Sequence, residues 1–394
     1  MNDFPIKTAT FNQWAMPVRV VIMLFISLVV ASCGGRPEFG ALAINTVEVE
    51  GAKTSDLLIV TTRERDDSPD TYFNGERSPT VNYAQASVSV PPTHVSGAIE
   101  WPRSMPGNPA TDFVTRSAGY IQNENAFKSE INRRLAKMPK GKREIFLFIH
   151  GYNTRFPEAL YRFAQMAHDG ELQAVPVLFT WASRGKVQDY VYDLNSASVA
   201  RDTLEKTLIG LSSTNAEKIT ILAHSMGNWL LMETARQVSP EKRNAVVRKI
   251  DTVVLAAPDI DIDVFKAQLK RMGRPRTPFY VLVSRDDRAL RLSRAIAGGK
   301  ERVGAYSNDQ ELAELGAIVV DLTELQALDG AHHSKFAQLA ELSPKLRASI
   351  GTSGLASVRG MEGSATVGGG DLGSLIGNTV TLPIRIITAP LGGG

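Results

Sequence analysis

Residues 218–238, KITILAHSMGNWLLMETARQV, decide how this chain folds. The opening segment KITILA is short and almost continuously apolar or β-branched, which predicts a buried strand. The closing segment NWLLMETARQV has the apolar spacing of an amphipathic helix. Only four residues, 224–227, separate the two segments. The chain must therefore turn sharply from strand to helix at Ser225.

That turn places Ser225 between two small residues, Ala223 and Gly227. A strand-to-helix turn that exposes a nucleophilic serine needs small residues at these positions, because neighbouring backbone comes close. Ala223 departs from the commoner glycine by one methyl group. The pattern predicts Ser225 as a nucleophile, with the backbone N–H of Met226 donating to an oxyanion at the helix start. The alternative is a serine that merely caps a helix.

The flanking sequence repeats the alternation of apolar strand and amphipathic helix. Strands are predicted at residues 56–63, 85–90, 144–150, 175–181, 218–223, 251–257, 278–283 and 317–321. Helices are predicted at residues 123–138, 157–168, 196–211 and 228–238. Short apolar strands that alternate with helices imply an α/β chain, with a mostly parallel central sheet flanked by helices. The proline-rich stretch that begins at Pro91 is expected to cross irregularly to the first helix.

The loop His150-Gly151-Tyr152-Asn153 follows the predicted strand EIFLFI, two strands before Ser225. A loop in this position can supply a second hydrogen-bond donor to an oxyanion. The N–H of Tyr152 is the first choice for that donor, and the N–H of Asn153 is the second.

A serine nucleophile needs an imidazole base on a loop after the last core strand. Of six histidines, only His332 and His333 follow that strand. His333 is the preferred base and His332 the alternative. A structural histidine pair, or a metal site with Asp329, is the interpretation without catalysis.

The acid that orients the base is sought after the strand PFYVLV, where Asp286 and Asp287 stand. Asp287 is preferred over Asp286. The rival is Asp259, after the strand DTVVLAAP, a position that also suits a triad acid. The series Asp259, Asp261, Asp263 lacks the loop spacing and late glutamate of a calcium site, so helix capping is expected there. No metal ion is predicted.

The N-terminal residues have the features of a secretory signal, since basic residues precede an apolar run at 20–30. That run is shorter than the ~20 residues that span a bilayer, although an uncleaved membrane anchor is the alternative. The run Val30-Ala31-Ser32-Cys33 resembles the bacterial lipobox, whose cysteine is acylated. A signal peptide is predicted at 1–32, with lipid anchoring through Cys33 in the cell envelope, facing the periplasm and preferably on the outer membrane.

The remaining composition limits partners and boundaries. The 44 basic and 41 acidic residues are interspersed, so the chain lacks the basic stripe of a nucleic-acid-binding protein. With one cysteine, the chain can form no internal disulfide. We expect a linker at 33–54, a hydrolase domain at 55–345 and a glycine-rich tail at 346–394. Within that tail, residues 382–391 could form an edge strand or a docking segment.

Taken together, these motifs resemble those of a bacterial subfamily of α/β hydrolases of poorly defined function that are often lipid-anchored. The likeness covers most of residues 56–340. It rests on the runs IVTTR, YFNGERS, VSVPPTH, GAIEWP, FIHGYN, VLFTWAS with Tyr190 and Asp193 following, ILAHSMGN, LAAPDID, SRDDRAL and HHSKF. The resemblance implies an α/β-hydrolase fold and supports the chain order Ser225, Asp287, His333 for a triad.

The leading functional hypothesis is a serine hydrolase that cleaves a carboxylic ester of a small molecule or a lipid. His333 would take the proton of Ser225, Asp287 would orient His333, and the N–H groups of Met226 and Tyr152 would stabilise the oxyanion. No cofactor is required by this mechanism, and no nucleic-acid partner is expected. The alternative is a catalytically silent, lipid-anchored binding or envelope-organising protein on a hydrolase scaffold.

Overall fold

One sheet organises the part of the chain that the computed structural model describes, residues 40–239, 244, 246–273, 277, 279–340 and 384–389. Its strands are β1 (Lys53–Arg65), β2 (Phe73–Val90), β3 (Val114–Ile121), β4 (Glu144–Ile149), β5 (Val175–Thr180), β6 (Lys218–His224), β7 (Ile250–Ala256), β8 (Phe279–Val283), β9 (Ala317–Asp321) and β10 (Arg385–Ile387). Across the sheet their order is β10-β9-β8-β7-β6-β4-β5-β1-β2-β3. Strands β1 and β4 to β9 are mutually parallel. The prediction of a mostly parallel central sheet is confirmed.

Helices cover both faces of this sheet. They are α1 (Glu124–Ala136), α2 (Phe156–Asp169), α3 (Tyr190–Ser212), α4 (Met226–Gln237), α5 (Ile262–Met272), α6 (Arg288–Ile296) and α7 (Asp309–Glu314). Successive strand residues point to opposite faces, so Leu58 and Val60 join one apolar core while Leu57 and Ile59 join another. The first core contains side chains of α1, α3, α4 and α5, and the second contains those of α2 and of a 3₁₀ helix, Lys335–Ala340.

The antiparallel side of the sheet differs from the sequence prediction. Strand β2 begins at Phe73 rather than at residue 85, and the irregular crossing expected after Pro91 gives way to β3 at Val114–Ile121. Both strands pair antiparallel. Antiparallel strands can leave one face in water, so their polar residues weaken the apolar signal on which the prediction depended. Helix α3 also begins at Tyr190, six residues earlier than expected.

The parallel strands bring the candidate residues to one edge. Because parallel strands end at the same side of a sheet, the loops after β4, β6, β7, β8 and β9 meet there.

The C-terminal tail contributes the strand at one end of the strand order, where Arg385–Ile387 pairs antiparallel with β9. The predicted signal peptide and Cys33 lie outside the described residues. Among the residues that are described, no helix combines the length and apolarity needed to cross a bilayer.

Candidate active site

Ser225 lies on a strained turn between β6 and α4. Its backbone has φ 53° and ψ −123°, a conformation that a residue with a side chain rarely adopts and that costs about 1–3 kcal/mol. Four hydrogen bonds hold it: the Ser225 N–H donates to the Ala256 carbonyl (3.0 Å), and the Ser225 carbonyl accepts from the N–H groups of Asn228 (3.0 Å) and Asp259 (3.2 Å) and from the Asn228 side-chain amide (3.1 Å). The strain is therefore imposed by neighbouring backbone on both sides of the turn.

Close backbone contacts explain the small residues around the serine. A Cβ at Gly227 would lie 2.4 Å from the His150 carbonyl oxygen, so no larger residue fits there. A Cβ at Gly151 would lie 2.7 Å from the Cβ of Ser225. Ala223 is fully buried, and its methyl group is accommodated within the apolar core. The loop after β4 is thereby held directly against the serine.

That loop distinguishes between the two proposed oxyanion donors. The N–H of Asn153, the second choice, donates to the Asp193 carboxylate at 3.0 Å and is occupied. Among the described residues, none accepts a hydrogen bond from the N–H of Tyr152 or of Met226. These two N–H groups, the ones preferred from the sequence, are the donors left for a ligand beside Ser225.

His333 and Asp287 are brought into direct contact. The imidazole Nδ1 lies 2.6 Å from Asp287 Oδ2, and Asp287 is completely buried. Since a carboxylate accepts, Nδ1 carries the proton and Nε2 is left as the basic nitrogen. Burial lowers the pKa of His333, but the charge and hydrogen bond of Asp287, helped by Asp259 and Asp329, outweigh it and raise the pKa above its ordinary value.

The backbone around His333 is fixed as well. The Asp329 carboxylate accepts from the N–H groups of His333 (3.1 Å) and Ser334 (3.3 Å). His224 lies beneath, with Nε2 at 3.3 Å from the His333 carbonyl and its ring stacked on Phe336. Burial and the neighbouring His333 hold the pKa of His224 well below its usual range, so His224 is a neutral support.

The alternative base and acid, His332 and Asp286, contact each other instead of the preferred pair. His332 Nδ1 lies 2.7 Å from Asp286 Oδ2, and the buried Lys335 donates to Asp286 Oδ1 at 2.7 Å. Burial alone would raise the pKa of Asp286, but hydrogen bonds from Lys335, Ser284 and His332 lower it to about 2. Two His–Asp pairs thus stand side by side, and the buried one is His333–Asp287.

Asp259, the rival acid, is engaged elsewhere. Its carboxylate accepts from the hydroxyls of Ser293 and Tyr190 and lies 3.2 Å from Arg302 Nε. Among the described residues, no histidine hydrogen-bonds to it. The expected helix cap in this region is confirmed at Asp261, whose side chain accepts from the N–H groups of Asp263 and Val264 in the first turn of α5.

Sequence reasoning missed the buried support of the oxyanion loop. Arg63 at the end of β1 is inaccessible to solvent, and it donates to Thr180 Oγ1 (2.8 Å) and to the carbonyls of Thr154 (2.7 Å) and Ser183 (2.8 Å). Burial lowers its pKa to about 10, against the raising effect of Asp193, so it stays charged at neutral pH. The sequence signal that could have identified Arg63 is its position directly after the apolar and β-branched residues of the run IVTTR.

His150 belongs to the same support. Its Nε2 accepts from the Trp181 N–H (3.1 Å) and lies 2.9 Å from Thr180 Oγ1, while Nδ1 donates to the Gly151 carbonyl (2.8 Å). Burial, with Arg63 nearby, lowers the pKa of His150 to about 3. It is therefore neutral and shapes the loop that carries Tyr152. No group of three or more potential metal ligands occurs among the residues described in the structure.

Comparisons with known proteins give one family match and several solved structures of low similarity. The model of a family described as "Alpha/beta hydrolase of unknown function (DUF900)" matches residues 123–350. Similar solved structures include lipase B of Aspergillus fumigatus (12% identity, TM-score 0.26), with the match covering 37% of this chain and 38% of the lipase. A second is the poly(3-hydroxybutyrate) depolymerase LpqC of Bordetella parapertussis (12% identity, TM-score 0.33), with the match covering 59% of this chain and 83% of the depolymerase. A third is an arylesterase (11% identity, TM-score 0.32), with the match covering 82% of this chain and 97% of the arylesterase. No curated protein matches the sequence.

Proposed function

This chain belongs to the DUF900 family of α/β hydrolases, and we propose that it is a serine hydrolase that cleaves carboxylic esters through an acyl-enzyme on Ser225. The observation that carries the proposal is the buried 2.6 Å hydrogen bond between His333 and Asp287, set on the same sheet edge as the strained Ser225 turn. That combination supplies a nucleophile, a base in a fixed tautomer and an acid in hydrolase order.

The reaction proceeds in two halves. His333 Nε2 takes the Ser225 hydroxyl proton as Oγ attacks the ester carbonyl carbon, and the resulting oxyanion is stabilised by the N–H groups of Tyr152 and Met226. Collapse breaks the ester C–O bond, and His333 returns the proton to the departing alcohol. Water then attacks the acyl-enzyme while His333 takes its proton, the bond between the acyl carbon and Ser225 Oγ breaks, His333 returns the proton to Oγ, and the carboxylic acid leaves. Asp287 keeps its charge throughout and stabilises the imidazolium.

A fluorophosphonate probe tests this proposal without knowledge of the substrate. The probe should label the wild-type chain, and Ser225→Ala should abolish the labelling. Ser198→Ala is the matched control, since Ser198 is a half-buried helical serine whose hydroxyl only donates to the Leu194 carbonyl. If the folded wild-type protein is not labelled, the hydrolase proposal is wrong and a silent binding scaffold is the better description.

The substrate class proposed is an ester of a small molecule or a lipid. The triad fixes the mechanism, whereas the pocket fixes the acyl and alcohol groups. A series of esters of increasing acyl length, run beside matched thioesters, lactones and amides, should show a clear preference for esters. A higher kcat/KM for amides than for the matched esters would overturn this choice.

For cellular location, we propose the predicted lipid anchor at Cys33, in a bacterial envelope membrane and facing the periplasm. The support is the sequence Val30-Ala31-Ser32-Cys33 after an apolar run of suitable length. Replacement of Cys33 by alanine should release the protein from the membrane fraction. Retention of Cys33→Ala in that fraction after a high-salt wash would contradict the anchor.

A further inference from the structure

Helix α6 has an outward surface with both apolar and cationic side chains. On this nine-residue helix only Leu290 and Ser293 are buried, and Leu292 and Ile296 are each 49% exposed. Residues four apart lie one above the other on a helix, so these two side chains form a continuous apolar strip. Arg288, Arg291 and Arg294 are exposed on the same helix. We call these five residues, Arg288, Arg291, Leu292, Arg294 and Ile296, the α6 surface.

The positive charge of this surface is not neutralised within the described part of the chain. Arg288 donates to the Gly330 carbonyl (3.1 Å), Arg294 donates to the Gly299 carbonyl (2.7 Å), and Arg291 makes a long contact of 3.5 Å with the Asp286 carbonyl. Among the described residues, no carboxylate forms an ion pair with any of the three. Elsewhere, exposed arginines such as Arg133 and Arg236 are paired with glutamates.

Two further exposed apolar side chains lie at the start of α3 and just before it. Val187 and Val191 are 49% and 63% exposed, and they flank Tyr190 in sequence. The Tyr190 hydroxyl lies 3.0 Å from Ser293 of α6. The carbonyl of Val187 accepts a hydrogen bond from the hydroxyl of Tyr152, the residue that follows Gly151 in the oxyanion loop. The segment that contains Val187 and Tyr190 is therefore hydrogen-bonded both to the buried side of α6 and to the loop after β4.

We propose that the α6 surface docks onto a lipid surface that carries anionic headgroups. An amphipathic helix with Leu or Ile on one side and arginines beside them lies in the interface of such a membrane, where the apolar side chains enter the acyl boundary and the cations meet phosphate. Charge complementarity selects anionic over neutral lipid. The protruding aliphatic pair selects a penetrable lipid surface over an acidic protein, which would meet the arginines alone.

Docking in this way also fixes the orientation of the molecule. Asp287 is the N-cap of α6, so the helix starts at the sheet edge where Ser225 and His333 lie. A lipid surface that receives Leu292 and Ile296 would therefore lie near the mouth of the proposed site. The consequence for substrate, an ester delivered from the lipid layer, depends on the proposed hydrolase function. The docking itself does not.

An environment-sensitive fluorophore on the α6 surface tests the proposal directly. The full chain carrying Cys33→Ser and Leu292→Cys is labelled at its single remaining cysteine with a nitrobenzoxadiazole dye. Vesicles that contain phosphatidylglycerol should shift the emission to the blue, and spin-labelled lipid should quench it. Vesicles of phosphatidylcholine alone should produce a much smaller change. If emission at Leu292→Cys stays that of an aqueous dye with phosphatidylglycerol vesicles, the proposal is overturned.

The control position is Val199→Cys, a 58% exposed valine farther along α3. Its dye should not respond, and an equal response at both positions would show adsorption without a defined face, which also contradicts the proposal. Because the N-terminal segment is the same in both proteins, membrane binding through that segment cannot produce a difference between the two dyes.

The cations are tested by Arg291→Gln with Arg294→Gln in the labelled Leu292→Cys protein. Each arginine near an anionic lipid surface contributes about 1 kcal/mol of binding free energy, so the partition coefficient for phosphatidylglycerol vesicles should fall about thirtyfold. Lys270→Gln with Arg271→Gln on α5 is the matched control, because both cations are exposed and lie on another helix, and it should change partitioning less than twofold. Equal losses from the two double variants would refute a specific role of α6. Ser225→Ala should bind vesicles like the wild type, so failure of docking and failure of catalysis are distinguishable.

Discussion

Replacement of Asp287 by asparagine should separate the proposed catalytic role of this residue from its structural one. Its two carboxylate oxygens have different partners: Oδ1 accepts from the Leu290 N–H at 2.9 Å, and Oδ2 accepts from His333 at 2.6 Å. Asparagine caps helices about as well as aspartate, so the start of α6 should survive. At His333 the change removes the charge that stabilises the imidazolium, and it allows the amide to favour the wrong tautomer.

The expected loss is large in rate and small in stability. In a serine triad this change lowers the rate by about 10⁴-fold, which corresponds to about 5 kcal/mol of lost transition-state stabilisation. The free energy of unfolding should change by no more than about 1 kcal/mol, because the cap is conserved. Without the charge of Asp287, burial should dominate and lower the pKa of His333 below that of the wild type.

The assay is the second-order rate constant of fluorophosphonate labelling, measured across pH beside the thermal midpoint of unfolding. Asp259→Asn is the comparison, since it leaves the buried Arg302 without its charged partner and should destabilise the protein by about 3 kcal/mol while labelling persists. Labelling that survives in Asp287→Asn and disappears in folded Asp259→Asn would refute the assignment of the acid.

Three further outcomes follow from the same geometry. The labelling rate of the wild type should fall on acidification, because neutral His333 is the proposed base. Since its pKa is raised above the ordinary value of 6.5, the midpoint of a rate profile at constant ionic strength should lie above 6.5, and a midpoint below 6.5 would contradict this. Gly227→Ala should lower the free energy of unfolding by about 3 kcal/mol or prevent folding, as measured by denaturant titration. In Gly119→Ala, the added Cβ enters open space, so the free energy of unfolding should change by less than about 1 kcal/mol. Arg63→Met should lower the thermal midpoint and slow labelling together, and Arg63→Lys should not restore either, because a lysine cannot span three acceptors in one plane; full rescue by lysine would argue against this role.

The residues around Ser225 could be predicted because their chemistry is local. A strand, a sharp turn and a helix constrain Ala223 and Gly227 through backbone approach alone, and chain order then places an acid and a base after later strands. The fold class was equally accessible, since continuously apolar strands that alternate with helices have few other solutions.

The choice between adjacent residues was not accessible in the same way. His332 and His333 differ by one position, as do Asp286 and Asp287, and the sequence allows several pairings. His332 has φ 58°, a left-handed backbone conformation, and its ring contacts Asp286 while that of His333 contacts Asp287. That arrangement depends on contacts of Asp329 and Asp286 across the loop, which no local pattern reports.

Long-range polar contacts were missed for a related reason. Arg63 is satisfied by carbonyls more than ninety residues away in sequence, at Thr154 and Ser183, so its burial cannot be deduced from β1 itself. Helix α6 escaped detection because it has only nine residues, fewer than the window of about 11–18 residues over which helical periodicity can be recognised in a sequence.

The division of the Asp287 carboxylate between helix and imidazole has a consequence for local unfolding. Fraying of the first turn of α6 would release Oδ1 and loosen the residue that aligns His333, so opening of that turn and loss of the aligned base become one event. The exchange of the Leu290 amide hydrogen with solvent deuterium requires the same opening. Its rate therefore reports the fraction of molecules in which Asp287 no longer holds His333. A ligand that rigidifies α6 would slow that exchange and enlarge the fraction of molecules whose base is aligned at any moment.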